Sequence, residues 1–101
     1  MTPLNSFQLV VIVAEPVLEP RLTAELLQLG ATGFTVVEGR GTGSRGSHAT
    51  ELPGDTVRIE TVVPPVFADR IMAHLADHYF AHYGVIAYTH DVRVARTGKY
   101  V

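Results

Sequence analysis

The chain has 101 residues, of which 47% are hydrophobic and 18% charged, so it has the size and composition of one folded domain. Its net charge of −2 argues against wholesale electrostatic binding to nucleic acid or anionic lipid. It contains no cysteine, which excludes disulfides and thiolate metal sites, and no apolar run approaches the roughly 20 residues of a membrane span. We therefore expect a cytoplasmic protein that does not insert into membranes.

The first half of the chain predicts a strand, a helix and a second strand. Phe7–Ala14 is mainly apolar, as in a strand with both faces covered. A helix is expected from Glu19 and Pro20 to a stop at Gly30, with one apolar stripe formed by Leu22, Leu26 and Leu29. Phe34–Glu38 is rich in β-branched residues and is predicted to be the second strand.

The second half repeats this order after a glycine-rich segment, Gly39–Asp55, which is predicted to be a long flexible loop. Thr56–Val63 shows the two-residue alternation of a strand with one wetter face. Val66–Tyr83 has the apolar spacing of a helix. Val85–Arg96 is predicted to be the last strand, and Thr97–Val101 a loose polar tail.

The resulting βαββαβ order predicts an α+β fold for residues 1–101. It matches the ferredoxin-like arrangement, in which one antiparallel sheet carries two helices on one face. Apolar residues on the strands, such as Val10 and Val62, exceed what two helices would cover. We therefore expect an oligomer that covers the remaining apolar surface.

The loop contains Gly41-Thr42-Gly43-Ser44-Arg45-Gly46, which matches the G-x-G-x-x-G pattern. A dinucleotide-binding turn requires a helix directly after the glycines, and Pro53-Gly54 leaves no room for one. A backbone nest for phosphate oxygens, assisted by Arg40 and Arg45, is still compatible with this composition. A solvated loop without a ligand is the alternative.

Two further groups of residues are candidates for metal binding or catalysis. His74, His78 and His82 follow one another at four-residue spacing, so neighbouring members could share a metal ion. Ordinary surface histidines are the simpler interpretation, because no cysteine and only one nearby carboxylate would complete a site. Ser44, Ser47, His48 and Asp55 crowd the loop, but a glycine-rich loop supports catalytic geometry poorly. We find no enzyme signature.

Three stretches, taken in order, resemble PII signalling proteins. Gly33–Glu38 followed by Gly41-Thr42-Gly43 resembles the start of their large flexible loop, the T-loop. Arg58–Pro64 resembles the strand after that loop, and Val92–Gly98 resembles the basic last strand that ends in R-T-G. The resemblance covers nearly the whole chain and agrees with the βαββαβ order.

The resemblance implies a homotrimer that binds adenine nucleotides in clefts between subunits and regulates a partner through the T-loop. Thr35 would approach the adenine, Glu60 and Val62 would line the base pocket, and the loop base would meet the phosphates. The implied nucleotide-binding residues are Thr35, Gly41, Thr42, Gly43, Ser44, Arg45, Glu60, Val62, Gly84, Arg93 and Arg96.

Departures from the nitrogen-regulatory pattern suggest a particular branch. The loop is short and has no tyrosine, Ser44 stands where those proteins have arginine, and Val85 replaces a phosphate-binding lysine. Fewer cations favour ADP, AMP or cyclic AMP over ATP. The resemblance is to the PII-like proteins linked to inorganic carbon, which implies bicarbonate as a second ligand and a bicarbonate transporter or carboxysome-related protein as partner.

The alternative is a metal-binding trimer of the divalent-cation tolerance type that uses His74, His78 and His82.

Overall fold

The computed structural model describes residues 5–41 and 55–101 of the chain. The helices and strands occur in the predicted βαββαβ order. They are β1 (Asn5–Ala14), α1 (Glu19–Gln28), β2 (Thr35–Arg40), β3 (Asp55–Val63), α2 (Pro65–His78) and β4 (Ile86–Val94). Single 3₁₀ turns lie at Pro16–Leu18, before α1, and at Thr97–Lys99, after β4.

The four strands form one antiparallel sheet in the order β2-β3-β1-β4. This order, with two helices in the connections, confirms the predicted ferredoxin-like fold. Ile12 lies at the centre of the sheet, opposite Ile59 on one side and Ala87 on the other. Because side chains alternate along a strand, this register fixes which residues face the helices and which face away.

The core lies between the sheet and the helices. Val10, Ile12, Val57 and Ile59 supply its sheet side, and all are at most 1% exposed. The helices contribute Leu22, Leu26, Ile71 and Leu75, which are at most 2% exposed. Full burial of such a side chain is worth about 1.5–3 kcal/mol, so these residues fix how the helices dock.

The helix-free face of the sheet is also apolar. Leu9, Val11 and Val13 alternate with the core residues of β1 and therefore point to this face. Their neighbours Ile86 and Tyr88 on β4 are 56% and 42% exposed. Of the two apolar strand residues named from the sequence, Val10 belongs to the core under the helices, whereas Val62, opposite Leu9, lies on the face that neither helix covers.

Helix α1 ends as its sequence predicts. Gly30 has a φ of +111°, a conformation that favours glycine, and it lies two residues beyond the last residue of α1. The Ala31 amide donates to the Leu26 carbonyl oxygen at 3.0 Å, which closes the end of the helix. A Cβ atom on Gly30 would lie 3.2 Å from the Phe67 ring, so this turn also packs tightly against α2.

Helix α2 ends earlier than its periodicity predicts, at His78 instead of Tyr83. The Phe80 amide donates to the Leu75 carbonyl oxygen, five residues back, and turns continue to Tyr83. Strand β4 is correspondingly shorter than the predicted Val85–Arg96. Among the described residues, no helix is long and apolar enough to cross a membrane.

Candidate functional site

A cleft of about 370 Å³ opens where β2 begins and β3 ends. Its lining combines apolar side chains, hydroxyl groups and one residue of each charge. The lining residues are Leu9, Thr32, Gly33, Phe34, Thr35, Glu60, Thr61, Val62, Lys99 and Tyr100. The cleft volume falls within the range of about 300–1,000 Å³ that is usual for small-molecule sites.

Strand register brings the floor of the cleft together. Thr35 on β2 lies directly opposite Glu60 on β3, and Val62 lies opposite Leu9 on β1. Residues opposite one another in an antiparallel pair point to the same face, here the helix-free face. The structure therefore places three of the predicted nucleotide-binding residues, Thr35, Glu60 and Val62, in one cleft.

A buried hydroxyl group holds the turn that leads into β2. Thr61 is 3% exposed, and its Oγ1 donates to the Gly33 carbonyl oxygen at 2.6 Å. This bond satisfies the buried hydroxyl and fixes the backbone next to Phe34, which remains 40% exposed at the cleft. The turn is thereby attached to β3 by a side chain as well as by the strand ladder.

The end of the chain forms another wall of the cleft, although the sequence predicts a loose tail there. Thr32 Oγ1 donates to the Lys99 carbonyl oxygen at 2.7 Å. The Tyr100 ring packs against Phe7 with 5.7 Å between centroids. Sequence reasoning missed Thr32, Lys99 and Tyr100 because these contacts join residues far apart in the chain, and hydrophobic periodicity carries no such signal.

The charges at the cleft are few. Glu60 Oε2 lies 3.0 Å from Arg58 Nε, and both side chains are partly exposed, so this ion pair contributes little stability. Among the described residues of the lining, Glu60 is the only acidic residue and Lys99 the only basic one. The arrangement is suited to a ligand that has both an apolar part and polar groups.

The remaining predicted site residues do not line this cleft. Gly41 directly follows β2, whereas Thr42, Gly43, Ser44 and Arg45 lie outside the described residues, as does most of the proposed phosphate nest. Gly84 lies between α2 and β4, and Arg93 lies on β4 opposite Ser6. Arg96 directly precedes the last 3₁₀ turn.

His74, His78 and His82 do not form the single helical stripe that the alternative of a metal-binding trimer requires. Only His74 and His78 lie on α2, because the helix ends before His82. Within residues 5–41 and 55–101, no group of three histidine, aspartate or glutamate side chains is placed to hold a metal ion. His74 instead contacts Glu25 of α1, with 2.8 Å between Nε2 and Oε1.

Glu25 is the centre of a polar cluster between the helices that the sequence analysis did not identify. Tyr79 donates its hydroxyl to Glu25 Oε1 at 2.7 Å, and Arg21 Nε lies 3.3 Å from Oε2. Burial acts to raise the pKa of Glu25, but hydrogen bonds from Tyr79, His74 and Arg21 outweigh it and hold this pKa below its ordinary value. Burial, together with the hydrogen bond to Glu25, raises the pKa of Tyr79. The cluster links α1 to α2 on the side of the sheet away from the cleft.

Known proteins are similar to this chain in both sequence and fold. The family model "Nitrogen regulatory protein P-II" matches residues 7–99. A protein of Thermus thermophilus described as a PII-like signalling protein is 44% identical over 99% of this chain and 100% of its own, with a TM-score of 0.84. Searching curated proteins gives no match.

More distant structures share the fold. CPII of Thiomonas intermedia bound to ADP and bicarbonate is 21% identical, with full coverage of both chains and a TM-score of 0.85. The same protein bound to ADP, AMP and acetate is 22% identical over 98% of both chains, with a TM-score of 0.80.

Proposed function

Because the chain belongs to the PII family of signalling proteins, we propose that it binds an adenine nucleotide, ADP or AMP, in the cleft where β2 begins and β3 ends. Binding would change the segment that joins these strands and thereby control a partner protein. The role is regulatory, not catalytic.

The observation that carries this proposal is the composition of the cleft. Leu9, Phe34 and Val62 offer apolar surface for a planar base, beside the Glu60 carboxylate and the Thr35 residue. A carboxylate accepts hydrogen bonds and cannot donate them, so Glu60 is suited to an exocyclic amino group. Adenine presents such a group on an otherwise apolar ring.

The ligands of CPII support the choice of nucleotide. One structure of CPII contains ADP and bicarbonate, and another contains ADP, AMP and acetate. We propose the same classes of ligand for this chain: ADP or AMP, with bicarbonate as a second ligand. ATP is a weaker candidate, because Val85 stands where a phosphate-binding lysine is expected.

The phosphate end of the site requires more than one chain in this proposal. Strand β2 leads from the cleft towards Gly41 and the segment with Gly43, Ser44 and Arg45, which would meet the phosphates. Gly84, Arg93 and Arg96 do not line the cleft of their own chain, so we assign them to the neighbouring subunit of a trimer. The apolar helix-free face would be covered in that assembly.

Regulation would follow from linkage. A nucleotide that binds one state of the 41–54 segment more tightly shifts the population towards that state, and a partner that reads the segment responds. A bicarbonate transporter or a carboxysome-related protein is the proposed partner, on the basis of the resemblance to the inorganic-carbon branch.

Glu60→Ala tests the site directly. A hydrogen bond to a charged group is worth about 1.5–3 kcal/mol, so we expect the dissociation constant of ADP to rise about ten- to hundredfold. The measurement is calorimetric titration of the purified protein with ADP. Glu38→Ala is the matched control, because Glu38 is an exposed carboxylate on β2 whose register places it on the opposite face.

ADP affinity that is equal in Glu60→Ala and in the unmodified protein would contradict the assignment of Glu60 to the base pocket. An equal loss in Glu38→Ala and Glu60→Ala would mean that a general change in charge, rather than the cleft, governs binding.

A further inference from the structure

Tyr79 connects helix α1 to the turn that follows helix α2. Its side chain is fully buried, and its hydroxyl donates to Glu25 Oε1 of α1 at 2.7 Å. Its backbone carbonyl oxygen accepts the amide of His82 at 3.1 Å and that of Tyr83 at 2.9 Å. One residue thus contacts α1 through its side chain and organises residues 80–83 through its backbone.

The chain leaves α2 at this same residue. The apolar spacing of the sequence continues to Tyr83, yet the backbone departs from the helix at Tyr79, where φ is −127° and ψ is −42°. A buried hydroxyl group requires a hydrogen-bond partner, and Glu25 supplies it from the neighbouring helix. The bond to Glu25 therefore holds Tyr79 at the point where the helix passes into the turn.

The Tyr79 ring has further contacts on α1 and in the turn. The guanidinium of Arg21 lies 4.7 Å from its centroid, and the Tyr83 ring lies 5.7 Å away. Arg21 is itself paired with Glu25, with 3.3 Å between Nε and Oε2. A displacement of Tyr79 would therefore break its contacts to α1 and move the turn at the same time.

We propose that Glu25 and Tyr79 are positioning residues that hold Gly84 in place for the phosphate end of the nucleotide site in the neighbouring subunit. This inference rests on the proposed function, which assigns Gly84 to that site. Gly84 directly follows the turn of residues 80–83, and the next residue, Val85, is buried in the core. Gly84 is therefore fixed by the core on one side and by the turn that Tyr79 organises on the other.

Both positioning residues lie between the helices and do not line the cleft of their own chain. They contact no part of the proposed site directly, so any effect on the ligand has to pass through the turn and Gly84. This route can be tested, because two changes along one route do not act independently.

The test combines two single variants of the full chain with their double variant. Tyr79→Phe keeps the buried ring and removes only the hydroxyl donor. Gly84→Ala adds a methyl group directly after the turn without backbone strain, because Gly84 has no positive φ. Each protein is titrated with ADP and with AMP by calorimetry, and hydrogen exchange of the His82 and Tyr83 amides reports on the turn itself.

Ile71→Val is the matched control for stability. Ile71 is a fully buried core residue of α2 that is not a member of the Glu25 cluster, so its truncation lowers stability by a different route. The urea midpoint of each variant measures the loss of stability, and light scattering checks that each variant keeps the mass of the unmodified protein.

We expect Tyr79→Phe to speed exchange of both amides and to raise the dissociation constants of ADP and AMP about three- to tenfold. This is part of the factor that corresponds to one hydrogen bond to a charged group. Gly84→Ala should also weaken both nucleotides, and the double variant should lose less than the product of the two single losses. Ile71→Val should lower the urea midpoint and bind within about twofold of the unmodified chain.

Unchanged amide exchange or unchanged affinity in Tyr79→Phe would overturn the proposal while leaving the nucleotide site intact. Losses that multiply in the double variant would also overturn it, since Tyr79 and Gly84 would then act separately. An equal loss of affinity in Ile71→Val, or a reduced mass of Tyr79→Phe, would assign the effect to stability or to assembly instead. If the unmodified protein binds neither ADP nor AMP, the proposed function itself fails, and this result is distinct from all the others.

Discussion

At the scale of single residues, Glu25 shows how one carboxylate can join two helices. It accepts the Tyr79 hydroxyl, contacts His74 and pairs with Arg21, whose guanidinium also lies over the Tyr79 ring at 4.7 Å from its centroid. Hydrogen bonds to a charged group are stronger than those between neutral groups, and the partial burial of Glu25 limits competition from water. The cluster therefore favours the ionised form of Glu25.

This preference predicts a pH dependence of stability. The pKa of Glu25 is lower in the folded protein than its ordinary value of 4.5. The ionised carboxylate therefore stabilises the fold above the ordinary pKa, and this contribution is lost as the pH falls through the lowered pKa. We expect the free energy of unfolding of Glu25→Gln to fall less than that of the unmodified chain between about pH 6 and pH 3.

Urea unfolding monitored by circular dichroism measures this difference, with Glu38→Gln as an exposed carboxylate control. Parallel pH profiles for Glu25→Gln and the unmodified chain would contradict the role of the cluster.

At the scale of helices and strands, the turn after α1 sets how the two helices meet. Gly30 combines a positive φ with close approach to Phe67, so a side chain there would be strained in two ways. We expect Gly30→Ala to lower the free energy of unfolding by about 1–3 kcal/mol, the usual cost of such a conformation. Urea denaturation provides the measurement.

Gly39→Ala is the control for that substitution. Its added Cβ atom would meet only Thr56 Oγ1 at 4.0 Å, and Gly39 has no positive φ. Because alanine is less flexible in the unfolded chain, Gly39→Ala should be neutral or slightly stabilising. Equal stability changes at the two positions would rule out a special conformational role for Gly30.

The order of the elements was predictable from sequence because each leaves a local pattern. The alternation of Val57 and Ile59 marks β3, and the leucine stripe with Gly30 marks α1 and its end. The floor of the cleft was found through the resemblance to PII proteins, which pointed to Thr35, Glu60 and Val62. The end of α2 and the terminal wall were not predictable, since contacts such as that between Thr32 and Lys99 are made only in the folded chain.

At the scale of the whole molecule, the helix-free face predicts assembly. Ile86 and Tyr88 expose apolar surface beside Leu9, Val11 and Val13, and such a contiguous face is characteristic of an interface. We expect light scattering to give a mass three times the 11.0 kDa of one chain. Ile86→Asp should reduce this mass, because it would place a charge in the interface.

Val17→Asp is the matched control for assembly. Val17 is 77% exposed and lies in the turn before α1, away from the helix-free face. It should remain a trimer. A monomeric unmodified chain, or an Ile86→Asp variant with unaltered mass, would contradict the proposed assembly.

We propose that this PII-family chain senses an adenine nucleotide through the cleft where β2 begins and β3 ends. The most direct measurement is calorimetric titration of the unmodified protein with ADP, with and without bicarbonate. We expect saturable binding of about one ADP per subunit, tightened by bicarbonate. Absence of binding to ADP and to AMP would contradict it.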